Sequence, residues 1–359
     1  MYLKYFSYFI LLNDIINMVK LMINNIYVKV KNFIKDNLWF FIVLSIIILI
    51  NFVRVPYEVM MPGGTIDLTD RVSVSGEEVE LEGSFNMAYV SVVQGSIPYV
   101  IVGSVLPDWD VDKMDTKSYD KEEIEAKNMS NKLQLINSKN AAKEVAFRTA
   151  GVEYSLGEEY TYVYDITDEA KTTLKVGDDI KSVNGTTINH ADDIIALLKN
   201  CKKGDKLNIV VNRDGKEKNV SATLYADDKG EAKIGISVLT TAEVLSDVDI
   251  EINTTDSESG PSGGMMMALM LYNALTEQDL THGKMIVGTG TIERDGSVGI
   301  IGGVKYKVMG AEKSEADIFL VPKGNYKDAL AVKEEKGYDI EIVSVETLDD
   351  VIKYLEGLE

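Results

Sequence analysis

Ser262 lies in the run Ser259-Gly260-Pro261-Ser262-Gly263-Gly264, which leads straight into Met265-Met-Met-Ala-Leu-Met-Leu-Tyr-Asn-Ala-Leu. Glycines around a serine, followed by an apolar helix, place Ser262 at a helix N-terminus. Unpaired backbone N–H groups there can hold an oxyanion. The methionines read as core filling rather than ligands. Forty-three residues on, Gly302-Gly303-Val304-Lys305 opens a second helix over 304–313. Alone, a lysine after a Gly-rich loop is by default a solvated surface group. His190 and His282 are the only histidines and Cys201 the only cysteine. A Ser-His-Asp triad and a His metal centre are hard to build from that set, and a thiolate zinc cluster is excluded. No Gly-x-x-x-x-Gly-Lys-Ser/Thr occurs, so ATP-driven unfolding by this chain is not expected. The carboxylates show no ligand spacing and read as a solvated face, so neither metal nor cofactor is called for.

The elements between these residues must bring them together. Ile286-Val-Gly-Thr-Gly-Thr-Ile and Asp295-Gly-Ser-Val-Gly read as a hairpin between the serine and lysine segments. Residues 65–105 alternate apolar and polar positions and predict strands. Lys121 to Thr149 predicts two helices, split near Asn137-Ser138. Tyr154 to Leu224 forms a compact unit of its own. It holds a strand over 160–166, tight turns at Asn184-Gly185 and Asp214-Gly215, and a helix from His190 to Asn200.

The 359 residues carry 37 basic and 57 acidic side chains, with 45% apolar residues and six prolines. This is a globular composition with core material for two or three domains; disorder and collagen-like repeats are excluded. The charge is uneven. Residues 1–55 hold six basic groups against Asp14 and Asp36, leaving the rest at a net −24. So acidic a body is no nucleic-acid binder, because neutralising phosphates takes lysine and arginine. Leu38 to Val53 is uncharged and spans about 24 Å as a helix, a little short of a ~30 Å hydrocarbon core. Counting Asn37 through Tyr57 closes the gap, with Trp39 and Tyr57 at the interfaces and Arg54 snorkelling. Five lysines precede the span and Arg54 alone follows, predicting a cytoplasmic N-terminus and an extracytoplasmic body. Upstream, Ile15, Ile16, Val19, Met22, Ile23, Ile26 and Val30 recur at helical spacing. That pattern suits a helix on the inner leaflet, or a poorly ordered leader.

Leu174-Lys-Val-Gly-Asp-Asp-Ile-Lys-Ser-Val-Asn-Gly-Thr-Thr-Ile resembles the core of PDZ domains of the bacterial protease type. The resemblance implies a groove for an extended peptide between strand residues Tyr162, Val163, Tyr164 and Ile166 and the helix from Ala191. Thr167-Asp-Glu-Ala replaces the customary Gly-Ser-Pro-Ala and adds carboxylates nearby, which leaves a scaffold role open. From Ile234 onward, Gly-Pro-Ser-Gly-Gly, Thr-Gly-Thr-Ile, Asp-Gly-Ser-Val-Gly and Ile-Gly-Gly-Val-Lys resemble, in that order, the Lon-type serine protease domain. This implies Ser262 as nucleophile and Lys305 as general base of a Ser-Lys dyad. Thr289 would hydrogen-bond near the lysine, with Gly260, Pro261 and Gly263 supporting the serine's turn. Such a base needs a pKa near 7–8 against ~10.4 for free lysine, a shift worth about 4 kcal/mol. Burial and the positive end of a helix both act in that direction.

The whole arrangement resembles the membrane-anchored PDZ-Lon peptidases of Gram-positive bacteria. The implied fold is α+β: a cytoplasmic segment over 1–36, one transmembrane helix over 37–57 and a 58–153 segment packing with the protease domain. A PDZ-like domain over 154–226 and a Lon-type domain over 230–359 follow. The implied activity is ATP-independent cleavage of extracytoplasmic proteins or peptides at the cell membrane, with ring-shaped homo-oligomers as the expected assembly. The alternative is a catalytically silent membrane-anchored peptide-binding or scaffold protein.

Overall fold

The computed structural model describes residues 2–114 and 120–358. Helix α1 (Tyr2–Asp36) is followed by α2 (Leu38–Phe52), with a 77° bend between the Met18–Asp36 part of α1 and α2. Ile15 and Ile16 of the upstream pattern lie outside the residues whose side chains are described. Val53 then turns the chain into strand β1 (Arg54–Asp67). The expected helix over 37–57 is therefore corrected at its end. Pro56 disfavours helix at the residue before it, and Arg54 pairs with Ser96 in a sheet. Among the described residues no single helix is long and apolar enough to cross a membrane; the bent pair passes by length and composition together.

Strand β2 (Ser84–Ser96) returns antiparallel to β1, and the chain enters α3 (Ile97–Gly103) with Pro98 in its first turn. Proline is preorganised for that position, which is why the expected strands stop short of residue 105. Strand β3 (Asp110–Lys113) pairs with the other edge of β1. The long helix α4 (Lys121–Ala150) starts at an Asp120 cap and ends at Gly151 in a left-handed conformation. It is one helix, not two: neither Asn137 nor Ser138 breaks it, and Ser138 is buried.

The next unit contains β4 (Ser155–Ile166), β5 (Asp179–Val183), helix α5 (Ala191–Leu198), β6 (Lys206–Arg213), β7 (Lys216–Thr223) and β8 (Ile236–Leu245). Its main sheet runs β8-β4-β5-β6-β7 around a core of Val163, Ile180, Val183, Ile194, Leu207 and Ile209. Strand β8 lies beyond residue 230, so the boundary expected between 226 and 230 cuts through this sheet.

The last unit adds α6 (Gly264–Leu275), β9 (Met285–Gly288), α7 (Val304–Lys313), β10 (Ile318–Pro322), α8 (Tyr326–Lys336), β11 (Glu341–Val345) and α9 (Leu348–Glu356). Its six-stranded sheet has the order β11-β10-β9-β2-β1-β3, so strands from both ends of the chain share it. From β11 to β2 the neighbours are parallel; from β2 to β3 they are antiparallel. Side chains alternate across it. Ile286, Ile318 and Leu320 pack against α6 and α9, while Val287, Phe319 and Val321 pack against α7 and α8. Helix α6 is apolar nearly all round because α4 covers what the sheet does not. Three layers result.

Candidate active site

Helices α6 and α7, from opposite faces of the sheet, both begin near the carboxyl end of β9. Thr289 follows that strand, is fully buried, and receives both. Its hydroxyl donates to the carbonyl of Ser262 at 3.0 Å, and the N–H of Gly290 reaches the same carbonyl at 2.8 Å. The Nζ of Lys307 donates to the Thr289 hydroxyl at 2.9 Å. One hydrogen-bonded chain therefore joins Lys307, Thr289 and the backbone of Ser262.

The nucleophile turn is fixed from a third side. Gly260 has φ +83° and donates its N–H to the Asn131 carbonyl of α4, while the Ser138 hydroxyl donates to the Pro261 carbonyl at 3.1 Å. The fit is tight at Gly264, where a Cβ would lie 2.4 Å from the Ser138 oxygen and 2.7 Å from Ile292. Gly263 caps α6 without a side-chain hydrogen bond, and the first two N–H groups of the helix are taken by backbone carbonyls, Gly264 donating to Pro261 and Met265 to Gly290 at 3.1 Å each.

Lys305 sits elsewhere. Its ammonium turns outward to Asp110 at 3.3 Å, with 36% of the side chain exposed. Asp110 also accepts from the hydroxyl of Tyr306, whose bond holds the carboxyl below its usual range, while burial pushes the Tyr306 phenol up. The lysine that reaches the buried chain of hydrogen bonds is Lys307, 3% exposed, its amine lowered by burial to about 8. The structure does not bring the expected Lys305 to Ser262; the lysine that reaches Thr289 stands two residues further on. A signal was present: Val304, Lys307, Val308 and Ala311 follow the i, i+3, i+4, i+7 spacing of a buried helical face. Lys305 falls off that face.

The peptide-binding residues need a second correction. Strand β4, which carries Tyr162, Val163, Tyr164 and Ile166, is interior to its sheet. Strand β8 covers it from Ile236 opposite Ile166 to Leu245 opposite Ser155, and β5 meets its other side. The open groove lies one strand over, between α5 and β8. It is a cavity of about 290 Å³ whose apolar wall includes Ile194, Leu198, Ile234, Ile236 and Val238. Gly235 has φ +87°, which sets the turn into β8. The sequence hides it because 236–245 follows the compact unit and reads as the start of the next domain.

Groove and serine turn meet on α4. Asn140 donates to the Thr241 hydroxyl of β8 at 3.0 Å, two residues from Ser138. Arg294, in the hairpin beyond Thr289, pairs with Glu144 of α4 at 2.7 Å and Glu159 of β4 at 3.4 Å.

These features set a buried Lys307–Thr289–Ser262 chain of hydrogen bonds beside a separate sheet-and-helix unit with an apolar groove. Residues 232–356 match the Lon protease (S16) C-terminal proteolytic domain, and residues 148–224 match a PDZ domain. The Lon protease of Roseiflexus castenholzii is 34% identical over 138 residues, covering 38% of this chain and 17% of that protein. The Lon protease of Campylobacter concisus is 37% identical over 97 residues, 27% of this chain and 12% of its own. The chain thus spans less than a fifth of the length of these two relatives. Among solved structures, the PDZ domain of an SdrC-like protein from Listeria monocytogenes is 26% identical, covering 22% of this chain and 86% of that one, with a TM-score of 0.21. The sequence matches support a serine-type peptidase.

Proposed function

We propose that this chain is a membrane-anchored serine endopeptidase in which Ser262 is the nucleophile and Lys307 the general base. The observation that carries this reading is the Lys307–Thr289–Ser262 chain of hydrogen bonds around a buried amine lowered to about 8. A neutral Lys307 gives one N–H to Thr289, whose own proton is committed to the Ser262 carbonyl. The amine lone pair is left for the Ser262 hydroxyl. Lys307 takes that proton as Oγ attacks the scissile carbonyl, and the oxyanion settles against the backbone N–H groups of the Ser262–Gly263 turn just before α6. Lys307 then returns the proton to the leaving amine, and water releases the acyl group by the same route.

Cleavage by this chain is ATP-independent in this reading, since its sequence holds no phosphate-binding loop motif. The bent apolar pair α1–α2 supplies the anchor, and the lysine excess before α2 supports a cytoplasmic N-terminus with the body outside. The test is incubation of the full chain, in detergent micelles without nucleotide, with a mixture of secreted proteins. New termini should appear with the wild type and be absent with Ser262→Ala. Cleavage that survives in Ser262→Ala, or no cleavage by either protein, sinks the reading.

Substrate recruitment is assigned to the groove between α5 and β8, where an extended segment can add to the open edge of β8. Ile236→Asp should slow cleavage of a folded substrate with an apolar tail roughly tenfold, the loss of one apolar anchor at ~1–3 kcal/mol. Turnover of a short peptide should stay near wild type. Equal slowing of both would remove the groove from recruitment.

A further inference from the structure

We infer that α3 and the turn after it form a second lipid-contacting element, seated in the interfacial zone of the bilayer beside α2. The inference rests on the anchoring reading above. Its first support is register. Arg54, one residue past the C-cap of α2, pairs with Ser96, the last residue before α3. Both helices therefore leave the same end of the β1–β2 ribbon, and α2 packs against α3. Val53 is the sole residue between α2 and β1, so the body cannot drift away from whatever surrounds α2.

The second support is composition. No charged residue occurs from Ser84 to Pro107. In an otherwise strongly acidic body this uncharged stretch ends in outward-facing apolar side chains: Ile101 (61% exposed), Val102, Val105 (78%) and Leu106. Carboxylates resume at Asp108 and Asp110, which sets a polar limit to the patch. Tyr99 and Trp109 stack at 6.2 Å on its rim, the residue types that collect at membrane interfaces. A short helix with an apolar face, attached at the foot of an apolar helix, is suited to shallow insertion. A water-facing role would leave this apolar surface uncovered.

The chain has only two tryptophans, Trp39 in α2 and Trp109, which makes the test direct. Two full-length reporters would be reconstituted in phosphatidylcholine vesicles containing bromine-labelled lipid. One keeps Trp39 and carries Trp109→Phe. The other carries Trp39→Phe, Trp109→Phe and Val105→Trp. Both should be quenched by the brominated chains, and the Val105→Trp reporter should be shielded from aqueous iodide. Adding Ile101→Asp to it should cut lipid quenching at least threefold while the thermal melt stays unchanged. If Trp39 is quenched but the residue-105 reporter is not and remains open to iodide, this inference fails and the anchor stands. Shielding from iodide without lipid quenching means protein covers the patch, which also overturns it. If Trp39 is unquenched, the anchor fails and this inference with it.

Discussion

Lys307→Met should reduce turnover by at least 10²–10⁴-fold, the range expected for loss of a general base, while Lys305→Ala stays within about threefold of wild type. The two lysines are two residues apart on one helix, so they separate position from charge. Lys307→Arg keeps the charge and should be as inactive as Lys307→Met, because a guanidinium cannot give up its proton at usable pH. The wild-type rate should rise with pH through about 8, where burial has placed the Lys307 amine. Peptide turnover measured from pH 6 to 10 for all four proteins decides the matter. An inactive Lys305→Ala beside an active Lys307→Met would return the base to the surface position. The exposed Lys305–Asp110 pair contributes at most about 1 kcal/mol of stability, so its removal gives no structural excuse for inactivity.

The same burial should make Lys307 costly to the fold. Lys307 gives up its proton near pH 8 in the native protein, against ~10.4 in an unfolded chain. Between those values the unfolded chain binds the extra proton, so native stability contributed by this residue rises with pH. Below pH 8 the penalty is complete and amounts to about 3 kcal/mol; above the unfolded value it is gone. Lys307→Met fills the same space without a charge and gives up one hydrogen bond to Thr289, worth ~1 kcal/mol. The variant should therefore be more stable than wild type by about 2 kcal/mol at pH 7. Its advantage should shrink as pH is raised toward 10. Denaturant unfolding of both proteins across that range checks the slope, and an advantage independent of pH would contradict the assignment of the shift to this amine.

Much of the site is readable in the chain. Gly-Pro-Ser-Gly-Gly before an apolar helix places Ser262 at the start of α6, and Gly302-Gly303 opens α7 at Val304. Motif reading stops at the first lysine after the glycines. Choosing between Lys305 and Lys307 needs the face of the helix, which depends on what packs on Val304 and Val308. Ser138 shows the opposite difficulty. A serine after asparagine inside a helix reads as a break, yet here it is small enough to sit against Gly264 and bond the Pro261 carbonyl. The covering of β4 by β8 was hidden for a different reason: alternation predicts a strand, and the partner of that strand is a tertiary choice. The short length of α2 belongs with these. Hydropathy runs on to Val53, and pairing of β1 with β2 decides where the helix stops.

The parallel ladder between β2 and β9 binds residues 84–87 to residues 285–288, with the whole α5-containing unit threaded between them. During synthesis the β1–β2 ribbon is made early, yet its neighbour on the β9 side appears only after some two hundred more residues. In the inserted unit the β5–β6–β7 ladders join near neighbours in sequence, while β4–β8 and, over a much longer loop, β2–β9 must close at a distance, so the six-stranded sheet should be the slower to complete. Until then the ribbon presents an unpaired, uncharged strand edge, the kind that recruits other chains. On the proposed anchoring, attachment of α2 one residue upstream would hold nascent molecules apart on a surface during that interval. An anchor in that place would protect the folding chain as well as locate the finished protein.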